Sequence, residues 1–202
     1  SIHDAGAVEL LEEATIALGE EDSELRTRLL RGLARALVFR GESMRAARAR
    51  DEAIAVARRR ADRQGLASTL ATSYWSRGLT SAEDVHAMLT EALQIADELG
   101  DAAIGAEAAS WLVPTSVSLC DHDAARVALR AAFDAARRRS EPFKLHVAEH
   151  YASALALCDG DLVEAEAAAL RSDDWGRLLT GRDASGVHGI QMFSIRREQG
   201  RL

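Results

Sequence analysis

The sequence has little of what β-proteins, membrane proteins and most enzymes are built from. Aromatic residues make up 4% of the chain, and proline occurs only at Pro114 and Pro142. No run of Val, Ile and Thr alternates with polar residues, so strands have little support. No apolar run reaches the length of a membrane span, and we expect no membrane partner. These absences favour an all-helical fold.

Charge and cysteine content narrow the function further. The net charge of −7 argues against nucleic acid as a direct partner, because phosphate binding needs a net basic face. Cys120 and Cys158 form neither a zinc spacing nor a disulfide framework. We therefore expect buried thiols in a reducing, cytoplasmic compartment, and we expect no cofactor.

What the chain does contain is alanine and a long internal period. Hydrophobic residues make up 48% of the chain, and many are Ala, which favours helices and lets them approach closely. The segments Glu52–Ala57, Glu91–Ala96 and Ala131–Ala136 align at a spacing of about 39 to 40 residues. Ala recurs at equivalent positions in them: Ala53, Ala92 and Ala132, then Ala57, Ala96 and Ala136.

Between the aligned segments lie partner helices and short turns. Gly41 and Gly78 each follow such a helix, where glycine suits the left-handed position, and Asp or Ser caps the next helix. The pattern predicts about ten helices, near 6–18, 23–40, 43–60, 64–77, 81–98, 102–119, 122–139, 142–158, 161–172 and 184–199. The predicted fold is an all-α, tetratricopeptide-like α-solenoid of stacked antiparallel helix pairs, one helical-repeat domain over residues 1–202.

Two segments depart from this regular pattern. Pro114 falls inside a predicted helix and is expected to kink or break it near Leu112 and Val113. The segment Ser172–Ser185 is longer and richer in Gly than the other connections. It predicts a loop, with a short helical turn at Trp175–Leu179.

The repeat units carry a family resemblance. A Gly-Asp/Glu turn followed by Ala-x-x-Ala packing positions resembles tetratricopeptide helix pairs. The longer period, with segments such as EALQIADELGD (Glu91–Asp101) and FSIRREQGRL (Phe193–Leu202), is similar to the helical-repeat region of LuxR-type, MalT-like bacterial transcriptional regulators. In that family an ATPase module precedes the repeats, and a helix-turn-helix domain often follows them. The resemblance implies a non-catalytic scaffold that contacts a protein, a peptide or other domains of its parent.

This chain carries neither the P-loop nor a basic recognition helix of that family. It begins at Ser1 rather than Met and stops at Leu202, as expected for a piece of a larger protein. The family's ATPase and DNA-binding activities are therefore not assigned to it.

The most credible functional surface is the groove formed by the first helix of each pair. Transferring the standard repeat geometry through the alignment predicts six groove contacts: Arg28, Arg31, Arg35, Ser68, Thr72 and Trp75. An Arg row beside a Trp suits an acidic or carboxylate-ended peptide, through forked hydrogen bonds and stacking. The alternative is that these Arg residues pair with Glu on neighbouring helices and that Trp75 belongs to the core.

Two histidines give a weak alternative, a metal-dependent helical enzyme. His146 and His150 share a helix face, with Glu149 nearby. The zinc-protease pattern H-E-x-x-H is not met, because Val147 follows the first His. The repeat alignment instead predicts that His150 is packed in the interior.

Cysteine chemistry has equally little support. Cys120 with Asp121 and His122 suggests a nucleophile and its base, but Cys120 aligns with the glycines of the other turns, and Cys158 is expected to repeat that position. We expect no enzymatic activity. A further alternative is a sensor of small molecules or peptides, with a pocket between helix pairs near Trp111 and Pro114, where the stacking is interrupted.

Overall fold

The computed structural model describes residues 6–179 and 184–202, and within them the chain is all-helical. No β-strand occurs among these residues. The described helices are α1 (Ala7–Leu18), α2 (Glu24–Phe39), α3 (Ser43–Arg59), α4 (Arg63–Ala71), α5 (Ala82–Leu99), α6 (Ala102–Ser118), α7 (His122–Arg139), α8 (Pro142–Cys158), α9 (Leu162–Gly176) and α10 (Ala184–Glu198). The predicted fold class is confirmed. None of these helices is both long enough and apolar enough to cross a membrane.

The helices pack mainly against their neighbours in sequence. Each of α1 to α4 contacts the next helix along the chain, and so does each of α7 to α9. Contacts also join α2 with α4 and α8 with α10, as in helical repeats. The chain divides into two compact units, with the boundary between Trp111 and Leu112 inside α6. That residues 1–202 form a single domain stays a prediction.

The aligned alanines form the centre of the packing. All six, at positions 53, 57, 92, 96, 132 and 136, are between 0% and 4% exposed. In the first unit, Ala57, Ala92 and Ala96 belong to one buried cluster with larger apolar residues, among them Leu66, Leu70 and Ile95. Small side chains let these helices approach closely, while the larger ones fill the spaces between pairs.

Most of the short connections between helices share the same backbone conformation and the same kind of cap. In six of these connections a residue with left-handed φ follows the helix, at Gly41, Ala61, Gly100, Cys120, Ser140 and Gly160. In the α6–α7 turn the N–H of Asp121 then donates to Ser116 O at 2.9 Å and closes α6. Asp121 Oδ1 also accepts from Ala124 N at 2.9 Å and caps α7. The equivalent caps are made by Asp62, Asp101 and Asp161.

The fourth helix ends earlier than predicted, at Ala71 instead of residue 77. Its hydroxyl side chains compete for the backbone. Thr72 Oγ1 donates to Thr69 O at 3.0 Å, and the N–H of Ser73 turns to the carbonyl of Leu70, three residues back. Such side-chain bonds offer the chain an alternative to the α-helix. Residues 72–81 therefore form an irregular connection.

Two other predictions about helix ends are corrected. The sixth helix does not break at Pro114, because Val113 and Thr115 are 1% and 3% exposed and packing holds the helix despite the missing donor. The ninth helix runs on to Gly176, beyond the predicted end at residue 172, and an Arg177–Asp173 pair closes its last turn. Residues 180–183 of the predicted loop lie outside the described residues.

The prediction of buried thiols is wrong, since both cysteines are exposed. Cys120 does take the left-handed turn position, with a φ of 57°. Cys158 does not repeat it. That residue is the last of α8, and Gly160 takes the left-handed position. Both thiols therefore lie at helix ends that face solvent.

Candidate binding face

The second helix carries three arginines on one side. Ser23 caps its N-terminus by accepting from Arg26 N at 3.0 Å. Arg28, Arg31 and Arg35 follow at helical spacing, so they share a face. Arg28 and Arg35 are exposed, and Arg31 is half-buried. The core side of the same helix holds Leu30, Leu33, Ala34 and Leu37.

The irregular connection after α4 is held by one buried arginine. Arg50, on α3, is 2% exposed, and its Nη1 donates to Ser76 O at 2.9 Å. Its Nη2 donates to Thr80 Oγ1 at 3.0 Å and to Asp51 Oδ1 at 2.7 Å, and Asp51 neutralises the charge. These hydrogen bonds hold Ser76 and Thr80 in place, within the irregular connection and just after Trp75.

Three aromatic side chains cluster at this connection. The rings of Tyr74 and Trp111 stack with centroids 5.0 Å apart, and Trp75 meets Trp111 edge to face at 4.8 Å. Arg77 lies 4.5 Å over the Tyr74 ring, and Trp111 Nε1 donates to Glu107 at 2.6 Å. Trp111 is 6% exposed, whereas Trp75 is 37% exposed and presents part of its indole to solvent.

The structure brings four of the six predicted groove residues together. Arg31, Arg35, Thr72 and Trp75 line one cleft in the first unit, which we call the Arg–Trp face. Arg28 and Ser68, the other two, do not line it. The cleft is narrow, about 10 Å³, which is close to the space that one water molecule needs. A larger ligand would therefore lie across its mouth and not inside it.

Two arginines of this face differ from most arginines of the described chain, because they lack a charged partner. Arg58 pairs with Glu91 at 2.8 Å and Arg59 with Asp22 at 2.6 Å, as most arginines of the described chain pair with a carboxylate or a carbonyl. Arg31 and Arg35 have no hydrogen bond or ion pair with any described residue. Arg28 lies 3.8 Å from Glu24, but that residue is on its own helix, so the alternative of pairing with Glu on neighbouring helices holds for none of the three arginines among the described residues.

The guanidinium of Arg31 is in an unfavourable setting. Burial lowers its pKa, the positive charge of Arg28 lowers it further, and Asp62 opposes both effects. A half-buried cation without a hydrogen-bonded partner loses solvation and regains little. A carboxylate placed across Arg31 and Arg35 would supply the missing interaction.

A wider groove lies elsewhere in the first unit, between α3 and α5. It holds about 560 Å³ and is lined in part by Met44, Leu79 and Met88. Two of the positive charges that line it are already neutralised, by the Arg58–Glu91 pair and by the contact of Arg50 with Asp51. A charged ligand therefore gains less there than on the Arg–Trp face.

The two histidines of the weak metal-enzyme alternative lie in different surroundings. His146 is 8% exposed, and its Nδ1–H donates to Ser172 O at 2.8 Å. Glu149 accepts from Arg171 Nε at 3.0 Å. His150 is half-buried, and burial is the main reason that its pKa is lowered. No group of three or more potential metal ligands occurs among the described residues.

The remaining sequence hypotheses concern Cys120 as a nucleophile and a pocket near Trp111. Asp121 is engaged as the cap of α7, and no hydrogen bond joins Cys120 to His122 in the described chain. Trp111 is buried in the aromatic cluster, and the sensor pocket near Trp111 and Pro114 stays a prediction.

Sequence reasoning missed Arg50 and the partnership of Tyr74 with Trp111. A signal for Arg50 was present. It stands in register with Ala46, Ala53 and Ala57 on the buried stripe of α3, so its burial follows from the helical period. The aromatic stacking has no comparable signal, because its members lie far apart in the chain.

The fold defines the class: a helical-repeat protein of stacked helix pairs. No protein-family model matches the chain, and the search of curated proteins gives no match. Among solved structures, the chain is similar to BtubC (BKLC) from P. vanneervenii, with a TM-score of 0.70 and 18% sequence identity over 96% of this chain and 81% of that chain. At that identity the likeness concerns the fold alone.

Proposed function

We propose that this chain is a non-catalytic peptide-binding module whose Arg–Trp face holds an acidic segment of a partner protein. The observation that carries the proposal is the pair of unpaired guanidinium groups, Arg31 and Arg35, beside a partly exposed Trp75. Arg31 and Arg35 lie four residues apart on one helix face, so a single external carboxylate can accept hydrogen bonds from both.

The chemistry of the face fits an acidic, amphipathic peptide. Guanidinium groups hold carboxylates through forked, charge-assisted hydrogen bonds. The exposed part of the Trp75 indole offers an apolar surface for a neighbouring side chain of the peptide. Because the aromatic cluster fixes that ring in advance, little side-chain entropy is lost on binding.

Local charge and net charge act in opposite directions here. The whole chain carries a net charge of −7, which repels an acidic peptide in general. Binding of such a peptide therefore depends on the local positive face and weakens as salt screens it. The net charge acting alone would give the opposite salt dependence, because salt screens repulsion as well.

The test uses a fluorescein-labelled peptide of alternating Glu and Leu with a free C-terminal carboxylate, followed by anisotropy with the full chain. The double variant Arg31→Glu/Arg35→Glu is expected to bind at least about tenfold more weakly, which corresponds to about 1.4 kcal/mol. The matched control is Arg48→Glu/Arg138→Glu, which reverses two exposed arginines that have no partner among the described residues. Its affinity should change less than about twofold.

Two results would contradict the proposal. One is the absence of binding of the peptide by the unmodified chain. The other is an equal loss in both double variants, which would show a general charge effect. A loss in the control alone would place the peptide elsewhere, since Arg48 lines the α3–α5 groove.

We further propose that the module belongs to a larger cytoplasmic regulator of the LuxR, MalT-like type, and that its partner is a protein or another domain of that parent. The support is the resemblance of the repeat units and their period of about 39 to 40 residues. Sequencing the gene at its source tests this idea. A P-loop upstream and a helix-turn-helix downstream would support it, and a frame containing neither would contradict it.

A further inference from the structure

The second unit contains a separate cleft of about 440 Å³, within the size range of small-molecule sites. It lies at the end of α7, the start of α8 and the end of α9. Its lining residues are Arg137, Ser140, Pro142, Leu145, Glu149 and Trp175. None of them takes part in the Arg–Trp face.

One wall of this cleft is apolar. Trp175 reaches it because α9 continues to Gly176, and Arg177 Nε donates to Asp173 Oδ2 at 2.9 Å across that last turn. Leu145, which is 7% exposed, and Pro142 complete the wall. A flat apolar ring would bury its surface against these three side chains.

Arg137 supplies an available positive charge. Its guanidinium lies 5.0 Å from the centre of the Phe133 ring, and no carboxylate of the described chain pairs with it. Stacking on a ring uses the flat face of a guanidinium and leaves its edge N–H groups free to donate. An anion at the cleft can therefore accept two parallel hydrogen bonds from Arg137.

Glu149 supplies an acceptor that is already held in place. It is 7% exposed, and Arg171 donates to its Oε2 at 3.0 Å. Its Oε1 accepts no hydrogen bond from any described residue. Arg171 Nη2 also donates to Glu164 Oε1 at 2.6 Å, so two carboxylates hold the Arg171 side chain in place. A ligand hydroxyl reaching Oε1 would make a charge-assisted hydrogen bond in a sheltered place.

We propose that this cleft binds a small aromatic carboxylic acid that carries a hydroxyl group on the far side of its ring. The carboxylate pairs with Arg137, the ring packs on Trp175 and Leu145, and the hydroxyl donates to Glu149. This site is independent of the peptide site and would give the module a second, small-molecule input.

The test is calorimetric titration of the full chain with three related probes. These are 4-hydroxyphenylacetate, phenylacetate, which lacks the hydroxyl donor, and 2-(4-hydroxyphenyl)ethanol, which lacks the carboxylate. The first probe is expected to bind about tenfold or more tightly than either of the others, since each of them loses one charge-assisted hydrogen bond.

Variants locate the binding. Arg137→Gln should weaken 4-hydroxyphenylacetate about tenfold and leave the neutral alcohol unchanged, because only the acid uses that charge. Arg138→Gln, at the exposed neighbouring position that does not line the cleft, should change neither. Glu149→Gln should reduce the advantage of 4-hydroxyphenylacetate over phenylacetate, because a neutral amide is a weaker acceptor.

Failure of 4-hydroxyphenylacetate to bind at millimolar concentration would overturn the proposal, and so would equal losses in Arg137→Gln and Arg138→Gln. The Arg31→Glu/Arg35→Glu variant should bind this acid normally. Loss of acid binding in that variant would show that the acid occupies the Arg–Trp face instead.

Discussion

The connections between helices are of two kinds, and the difference separates the fold from the candidate site. The short ones repeat a left-handed residue followed by an acid, as Cys120 and Asp121 do between α6 and α7. Their hydrogen bonds are local and satisfy both helix ends. The connection over residues 72–81 has no such pattern, and a side chain from another helix, Arg50, holds it in place.

This contrast shows how a repeat fold can make room for a binding face. The short turns satisfy the backbone groups at the helix ends mainly through local hydrogen bonds. The irregular connection exposes part of Trp75 beside Arg31 and Arg35, and Arg50 supplies the donor that satisfies the Ser76 carbonyl within it. Order in this connection therefore depends in part on a tertiary contact, whereas the α6–α7 turn is closed by local hydrogen bonds.

The largest expected effect comes from removing the tertiary anchor. Arg50→Ala leaves the Ser76 carbonyl without its buried donor and opens a cavity in α3, so we expect a loss of about 3 kcal/mol in the free energy of unfolding. Urea unfolding followed by circular dichroism measures it. Arg48→Ala, two residues earlier and exposed, should stay within about 0.5 kcal/mol. Equal stabilities would show that Arg50 does not hold the connection.

A smaller loss is expected in a regular turn. Asp121→Ala removes the acceptor of Ala124 N and should cost about 1 kcal/mol, since the remaining backbone bonds of the turn survive. The control is Asp134→Ala, an exposed position in the middle of α7. If Asp121→Ala proved as damaging as Arg50→Ala in the same urea titration, the distinction between local and tertiary order would fail.

The smallest expected change in stability has the opposite sign, since it is a gain. Cys120 holds a left-handed φ of 57° that glycine adopts without strain. Cys120→Gly should therefore stabilise the chain by about 0.5 kcal/mol, less than the full steric penalty because glycine also gains freedom when unfolded. Gly160→Ala should destabilise it by about 1 kcal/mol. Thermal unfolding of the pair checks the sign, and a stabilising Gly160→Ala would contradict the account.

Sequence alone predicted the parts of this molecule that depend on local patterns. The aligned alanines at positions 53, 92 and 132 are buried, and the helix that precedes each glycine turn ends where expected, apart from α4. The early end of α4 escaped prediction because side-chain hydroxyls compete there with the helix, and the balance depends on Arg50. The extension of α9 that brings Trp175 to its cleft escaped it as well.

The Arg–Trp face was likewise predictable from sequence only in part. The helical period alone placed Arg31 and Arg35 together, since residues four apart share a face. Whether they pair with acids depends on neighbouring helices, and sequence left that question open. The stacking of Tyr74 on Trp111 joins residues from separate helices, so no local pattern could reveal it.

The most direct test of the central claim follows the three tryptophan side chains by ¹H–¹⁵N correlation spectroscopy while the acidic Glu–Leu peptide is added. Spectra of Trp75→Phe and Trp175→Phe assign the indole N–H signals. If the peptide lies across the Arg–Trp face, the Trp75 signal shifts with the binding curve and the Trp175 signal, from the second unit, stays in place. A peptide that binds without moving the Trp75 signal would contradict the account.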